Sequence, residues 1–254
     1  MPKPLKFLAF DTSTERMSVA LTDGVRVWQH SGPGGAQAST TLIPAILALL
    51  AEAGLALGAL DAIAFGRGPG SFTGLRTACA VAQGLALGAR EGAGLPVLPI
   101  DTLMAVAEEA RFQQASAAGL PSGDAPFRVT ALLDARMDEM YVQSYEFSSG
   151  LCRSTKGCEL IRPENLVPEP ATQLFAGNVF GVYADRLPAG LAPFARAEAL
   201  PTATALLRLA PALAAAGQCV AAALALPLYV RDKVALTTDE RAQVKAQAAL
   251  AALR

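Results

Sequence analysis

Short apolar runs broken by polar turns open the chain. Lys6–Phe10 is mostly apolar and ends at Asp11, and Thr12-Ser13-Thr14-Glu15 follows as a polar turn. Met17–Thr22 and Val25–His30 predict two strands around Asp23-Gly24, a pair whose tolerance of positive φ suits a hairpin. The period then lengthens. Beyond Gly32-Pro33-Gly34-Gly35, Ser39 takes a capping position ahead of Leu42, Ile46, Leu49 and Leu50, which share one face of a helix ending near Gly54. Asp61–Phe65 predicts a strand, Gly66 to Gly74 a glycine-rich turn, and a second helix continues to about Arg90. Val97–Ile100 is another strand, with Asp101 or Thr102 capping the helix behind it. Strands first, then strand and helix in alternation, predict a mixed sheet with helices packed on it.

From Ala115 to Pro126 the composition turns to Ser, Gly, Ala and Pro, as at a lobe boundary or a surface excursion. The pattern then restarts: Arg128–Leu133 is an apolar strand ending at Asp134, and Met140–Phe147 alternates as a return strand. Asp134, Met140 and Val142 each lie 123 residues after Asp11, Met17 and Val19. Coincidence between two ordinary hairpins would give the same three identities. The matched order of elements favours duplication, and so two related lobes with a cleft between them. The expected organisation is an N-terminal lobe over 1–103, a second over 104–222 and a C-terminal segment over 223–254. The last helix, Asp239–Arg254, is only weakly amphipathic.

Composition narrows the function. Hydrophobic residues make up 52% of 254 residues, enough for two packed lobes. The formal charge is −1, with 21 basic and 22 acidic residues spread along the chain, so a self-sufficient nucleic-acid binder is not expected. Leu209 to Val230 carries no charge over the length of a membrane span. Nine alanines, Pro211, Gly217, Gln218 and Pro227 make it a packed helix instead, and no membrane segment is expected. The four cysteines form no C-x-x-C pair; Cys152 and Cys158 could meet across a turn, but free thiols in a reducing cytoplasm are the expectation. The apolar start before Asp11 is too short for a signal-peptide core.

Three features carry candidate chemistry. Gly66-Arg67-Gly68-Pro69-Gly70-Ser71-Phe72-Thr73-Gly74-Leu75-Arg76 joins a strand to a helix, where converging N–H groups and the helix dipole favour an anion. It lacks the Gly-Lys-Ser/Thr ending of a P-loop, and the glycines serve equally for tight turns and close packing. Asp11 and Asp134, each ending a strand before a polar turn, are where a two-lobed phosphotransferase would hold a metal–nucleotide. Asp134 reads more simply as a turn aspartate serving local N–H groups; for Asp11 the two readings stand level. The nucleotide reading therefore takes Asp11, Thr12, Ser13, Thr14, Gly68, Gly70, Ser71 and Asp134. Third, Ala80, Gly84 and Gly88 form a ridge of small side chains on one helix, which suits close approach of another helix. Spacing does not settle whose helix that is; the reading taken forward is a subunit surface. His30 is the only histidine, so neither a zinc site nor a Ser-His-Asp centre is expected.

With these residues in view, the chain resembles the TsaB (YeaZ) family of the actin-like ATPase (ribonuclease H-like) superfold. The resemblance rests on Leu8–Glu15, Gly66–Arg76, Leu133-Asp134-Ala135-Arg136-Met137 and Pro227–Lys233, in the family's order. It implies an α/β fold of two related lobes of mixed sheet flanked by helices. It also implies a non-catalytic subunit that forms a heterodimer with the TsaD transferase and works with the ATPase TsaE. The complex moves a threonylcarbamoyl group to N6 of the adenosine beside the tRNA anticodon; tRNA is met only through the complex. No cofactor is implied for this subunit itself, while ATP with Mg belongs to the assembled complex. First-lobe helices form the family's homodimer and TsaD contacts, which puts Thr73, Arg76, Ala80, Gly84 and Gly88 on the expected partner surface. TsaD-type relatives bind metal through His-x-x-x-His, absent here. Many relatives have a histidine where this chain has Ala38, and Phe175-Ala176-Gly177-Asn178 is a reduced form of the superfold's adenosine-binding turn. The alternatives are a free-standing ATPase using Asp11, the Thr12–Thr14 turn and Asp134, and, last, a peptidase.

Overall fold

The computed structural model describes residues 4–118 and 126–231; the expected helix over 239–254 lies outside them. The first sheet is built from β1 (Phe7–Asp11), β2 (Arg16–Thr22), β3 (Val27–Pro33), β4 (Ala62–Gly68) and β5 (Val97–Asp101), in the order β3-β2-β1-β4-β5. β1, β2 and β3 pair antiparallel, while β1, β4 and β5 run parallel. Between them lie α1 (Ala38–Ala53) and α2 (Phe72–Gly88). Asp23 Oδ1 accepts the N–H groups of Val25 and Arg26, so β3 begins two residues later than the pattern suggests. α1 begins at Ala38 after a short 3-10 turn, which leaves Ser39 inside the helix; it ends at Gly54 with φ 64°, where glycine bears no steric cost.

α3 (Thr102–Ala118) follows β5 directly. The second sheet comprises β6 (Phe127–Arg136), β7 (Glu139–Ser148), β8 (Leu151–Ser154), β9 (Glu159–Ile161), β10 (Leu174–Gly177) and β11 (Ala195–Glu198). Its order is β11-β10-β6-β7-β8, with β9 also on β7. Read from the other edge, an antiparallel trio followed by two parallel strands repeats the first sheet. α4 (Val179–Val182) and α5 (Ala203–Ala215) complete the described elements.

Packing crosses over between the lobes. α3, which follows the first sheet, lays Leu103, Val106, Ala107 and Ala110 on Val129, Ala131 and Leu133 of the second. α5, which follows the second sheet, lays Leu206, Leu209, Ala210 and Leu213 on Phe7, Ala9, Ala62 and Ile100 of the first. The helix expected within the second lobe therefore packs on the first sheet. Ser18 Oγ on β2 accepts Ala203 N at 2.8 Å, fastening the start of α5 there, while Thr202 Oγ1 caps Ala205 N. The outer face of the first sheet carries α1 and α2; that of the second carries α4. Among the described residues no helix is long and apolar enough to cross a membrane, since α5 ends at Ala215. All four cysteines are free, and Cys152 pairs opposite Phe147 while β9, next to Cys158, pairs at Val142.

The repeat is real in topology and offset by one residue in register. Met17 and Val19, like Met140 and Val142, point into the outer cores of their sheets. On the neighbouring strands Asp11 pairs with Ser18, but Leu133 pairs with Tyr141 and Asp134 with Met140. The counterpart of Asp11 is thus Leu133, and the two aspartates occupy opposite faces. Asp11 follows Ala9 on the inter-lobe face; Asp134 follows Leu132 on the outer one.

Candidate functional site

The β1–β2 turn and the glycine-rich segment form one interlocked unit. Ser71 N donates to Ser13 O at 2.7 Å, and Thr12 Oγ1 donates to Gly74 O at 2.7 Å. A β-carbon at Gly66 would overlap Asp11 Oδ2, one at Gly74 would overlap Thr12 O, and one at Gly70 would come 2.7 Å from Ser13. These glycines let two backbones touch. The N–H groups that could face a phosphate are partly spent: Gly68 N donates to Thr102 Oγ1 at 3.2 Å, Ser71 N to Ser13, and Gly74 N to the capping Ser71 Oγ.

Asp11 is fully buried in this unit. Its Oδ1 accepts from Ser13 N at 2.8 Å and Ser13 Oγ at 2.6 Å, and its Oδ2 has no hydrogen-bond partner among the described residues. Burial pushes the carboxyl up from 3.8 to about 6, against the opposing pull of the Ser13 hydrogen bonds. Asp134 is committed elsewhere: its Oδ1 accepts from Tyr183 Oη at 2.7 Å and Arg136 N at 2.9 Å, and its Oδ2 lies 3.3 Å from Arg136 Nη1. Asn178 Oδ1 accepts Asp134 N at 2.9 Å, which ties the reduced glycine turn to β6.

A cleft of about 430 Å³ separates the lobes. Of the residues assigned to a nucleotide, Ser13, Thr14, Gly70, Ser71 and Asp134 line it, whereas Asp11, Thr12 and Gly68 do not. Thr12 is buried, and Gly68 faces the backbone of Leu228. Sequence reasoning missed the residues at the cleft mouth. Phe72 and Tyr229 stack with centroids 5.5 Å apart, and Arg231 joins Glu139 across the second lobe at 2.6 Å. Phe72 lay inside the matched Gly66–Arg76 segment, and Tyr229 and Arg231 inside Pro227–Lys233, with no role attached to any of the three.

The expected partner residues form a continuous outward surface. Thr73, Arg76, Ala80, Gly84 and Gly88 are all exposed on α2, and a β-carbon at Gly84 or Gly88 would meet nothing within 4 Å. The small-residue ridge is therefore not packed against a helix among the described residues. α1 packs beside α2 and exposes Ile43 and Leu47, while α2 adds Leu87, 60% exposed. Arg76 is the only charged residue of α2 and Glu52 the only one of α1, so the face is apolar and nearly uncharged. Ala38 is fully buried in the core beneath. Among the described residues no three His, Cys, Asp or Glu side chains gather as a metal site.

Comparison with known proteins agrees with this architecture. Residues 35–238 match the family described as TsaD, tRNA N6-adenosine threonylcarbamoyltransferase. The chain is 33% identical to the tRNA threonylcarbamoyladenosine biosynthesis protein TsaB of Escherichia coli K12, over 91% of this chain and 96% of that protein. It is 35% identical to the TsaB of Haemophilus influenzae Rd, over 91% and 95%. The solved structure of YeaZ from Pseudomonas aeruginosa superposes with a TM-score of 0.76 at 39% identity, covering 89% of this chain and all of that one. Duplicated lobes, the interlocked glycine segment and these full-length relatives together show that the chain belongs to the TsaB (YeaZ) family, on the actin-like fold it shares with the TsaD-type transferases.

Proposed function

We propose that the chain is a non-catalytic subunit of tRNA N6-threonylcarbamoyladenosine biosynthesis in the cytoplasm, and that its α1–α2 face docks a TsaD-type transferase. The observation that carries this reading is the open ridge of Ala80, Gly84 and Gly88 beside exposed Ile43, Leu47 and Leu87. Exposed apolar surface of this kind marks interaction sites, and small residues let a partner helix approach closely. The same face would serve a homodimer when the transferase is absent. TsaE joins the assembly, and tRNA is met through the complex, in keeping with a net charge of −1.

The geometry speaks against a magnesium–nucleotide centre of this subunit's own. Asp11 is sealed behind Gly66 and Ser13, and Asp134 sits on the other face of its sheet, bound to Tyr183. A paired-carboxylate site needs both oxygens facing one ligand. A single histidine in the whole chain likewise supplies no His-x-x-x-His metal pair.

The test is reconstitution of threonylcarbamoyladenosine synthesis on tRNA from purified components. Full activity only when this chain accompanies the transferase, and none from the chain alone, is the expected result. Activity from this chain without the transferase would overturn the reading.

A further inference from the structure

The cleft and the docking face meet in one short stretch of chain. After α5 the backbone returns to the first lobe, where Val220 bridges Val97 at the edge of β5. It then crosses α2: Ala225 O accepts from Gln83 Nε2 at 3.0 Å and from Cys79 Sγ at 2.9 Å. Leu228 N donates to Arg67 O at 2.7 Å. Tyr229 packs on Phe72, and its hydroxyl accepts from Arg76 Nε at 3.1 Å while the Arg76 guanidinium lies 3.6 Å over the Phe72 ring. Two residues on, Arg231 Nη2 donates to Glu139 Oε2 at 2.6 Å and to Ala135 O at 3.2 Å, both in the second lobe. The strap 225–231 thus runs from the buried side of α2 at Cys79, past the exposed Phe72 and Arg76, to the β6–β7 turn. Away from the strap, α3 and α5 pack against each other and connect the two lobes.

We propose that this strap makes partner docking and inter-lobe closure a single linked equilibrium, with Arg76 as the positioning residue. The inference rests on the docking reading above and specifies its regulation. With the strap down, Arg76 is held over Phe72 and against Tyr229, so the ridge presents its one cation in a fixed orientation. A partner that binds this arrangement holds the strap down and the second lobe closed. By linkage, whatever loosens the strap at Glu139 weakens docking to the extent that it depopulates the strap-down state.

Hydrogen exchange followed by mass spectrometry on the full chain, with binding to the transferase measured in parallel, tests this. In isolated Arg76→Ala, exchange is expected to accelerate about tenfold at Leu228 and to spread to residues 135–139 of the second lobe. In Glu139→Gln, remote from the ridge, the dissociation constant for the transferase is expected to rise about fivefold while the lobes keep their circular dichroism. A merely local role for Arg76 would move neither the second-lobe exchange nor the Glu139→Gln affinity. Wild-type complex formation, unchanged Glu139→Gln affinity and Arg76→Ala effects confined to α2 would overturn the linkage and leave docking intact. Absence of any wild-type complex would overturn docking itself, and the linkage with it.

Discussion

Gly66 lies directly against Asp11: the space a β-carbon would need is filled by Asp11 Oδ2. Asp11 itself is fully buried, and its other oxygen is held by Ser13. The glycine and the aspartate are one structural unit, and the consequences differ from those of an anion-binding loop.

Gly66→Ala cannot be accommodated by a rotamer change, because the neighbour is a carboxylate pinned by two hydrogen bonds. Destabilisation of about 3 kcal/mol or more is expected. Gly84→Ala, with open space around it, should instead stabilise by about 1 kcal/mol through helix propensity. Urea denaturation of the two variants at neutral pH checks the contrast.

Asp11 makes stability depend on pH in an unusual direction for a carboxylate. Its folded value, about 6, lies above the ordinary 3.8, so between those values the folded chain binds more protons than the unfolded one. Stability then falls as pH rises through this window, by about 3 kcal/mol in total, and the cost is fully present above pH 6. Asp11→Asn keeps an acceptor for Ser13 and removes the buried charge. It should be more stable than wild type at pH 7.5 and lose the advantage toward pH 4. Denaturation curves from pH 4 to 8 for both proteins decide; a wild type whose stability difference from the variant does not change with pH would contradict the assignment.

Ser18 fastens the first turn of α5 to the first sheet through a buried hydrogen bond from Ala203 N. Ser18→Ala leaves that N–H without its acceptor and should cost about 1–2 kcal/mol. Exchange at the first turn of α5 should accelerate more than exchange in β7, which a uniform loss of stability would not produce.

Much of this was legible in the sequence, and the gaps have physical causes. Alternation and turn chemistry located both hairpins, and the spacing of Met17 to Met140 and Val19 to Val142 survives as matched outer-core positions. The aspartates misled because the second hairpin is one residue tighter, and one residue in a strand reverses the face. The packing of α5 on the first sheet was invisible, since an apolar stripe such as Leu206, Leu209 and Leu213 specifies burial but not which sheet supplies it. The glycine run announced close approach without saying to what; the answer, the Asp11–Ser13 turn, lies about sixty residues earlier in the chain. On α2 the ridge was readable from spacing alone, because Gly84 and Gly88 have no neighbour to hide them.

The most direct test of the proposed docking face is sedimentation velocity of the chain mixed with a TsaD-type transferase from the same organism, for wild type and Gly84→Arg. Because position 84 is open, the arginine should leave the fold intact while filling the ridge a partner must enter. The expected result is a heterodimer for wild type and two separate species for the variant, with unchanged circular dichroism. A variant that still forms the heterodimer at wild-type affinity would contradict the assignment of this face.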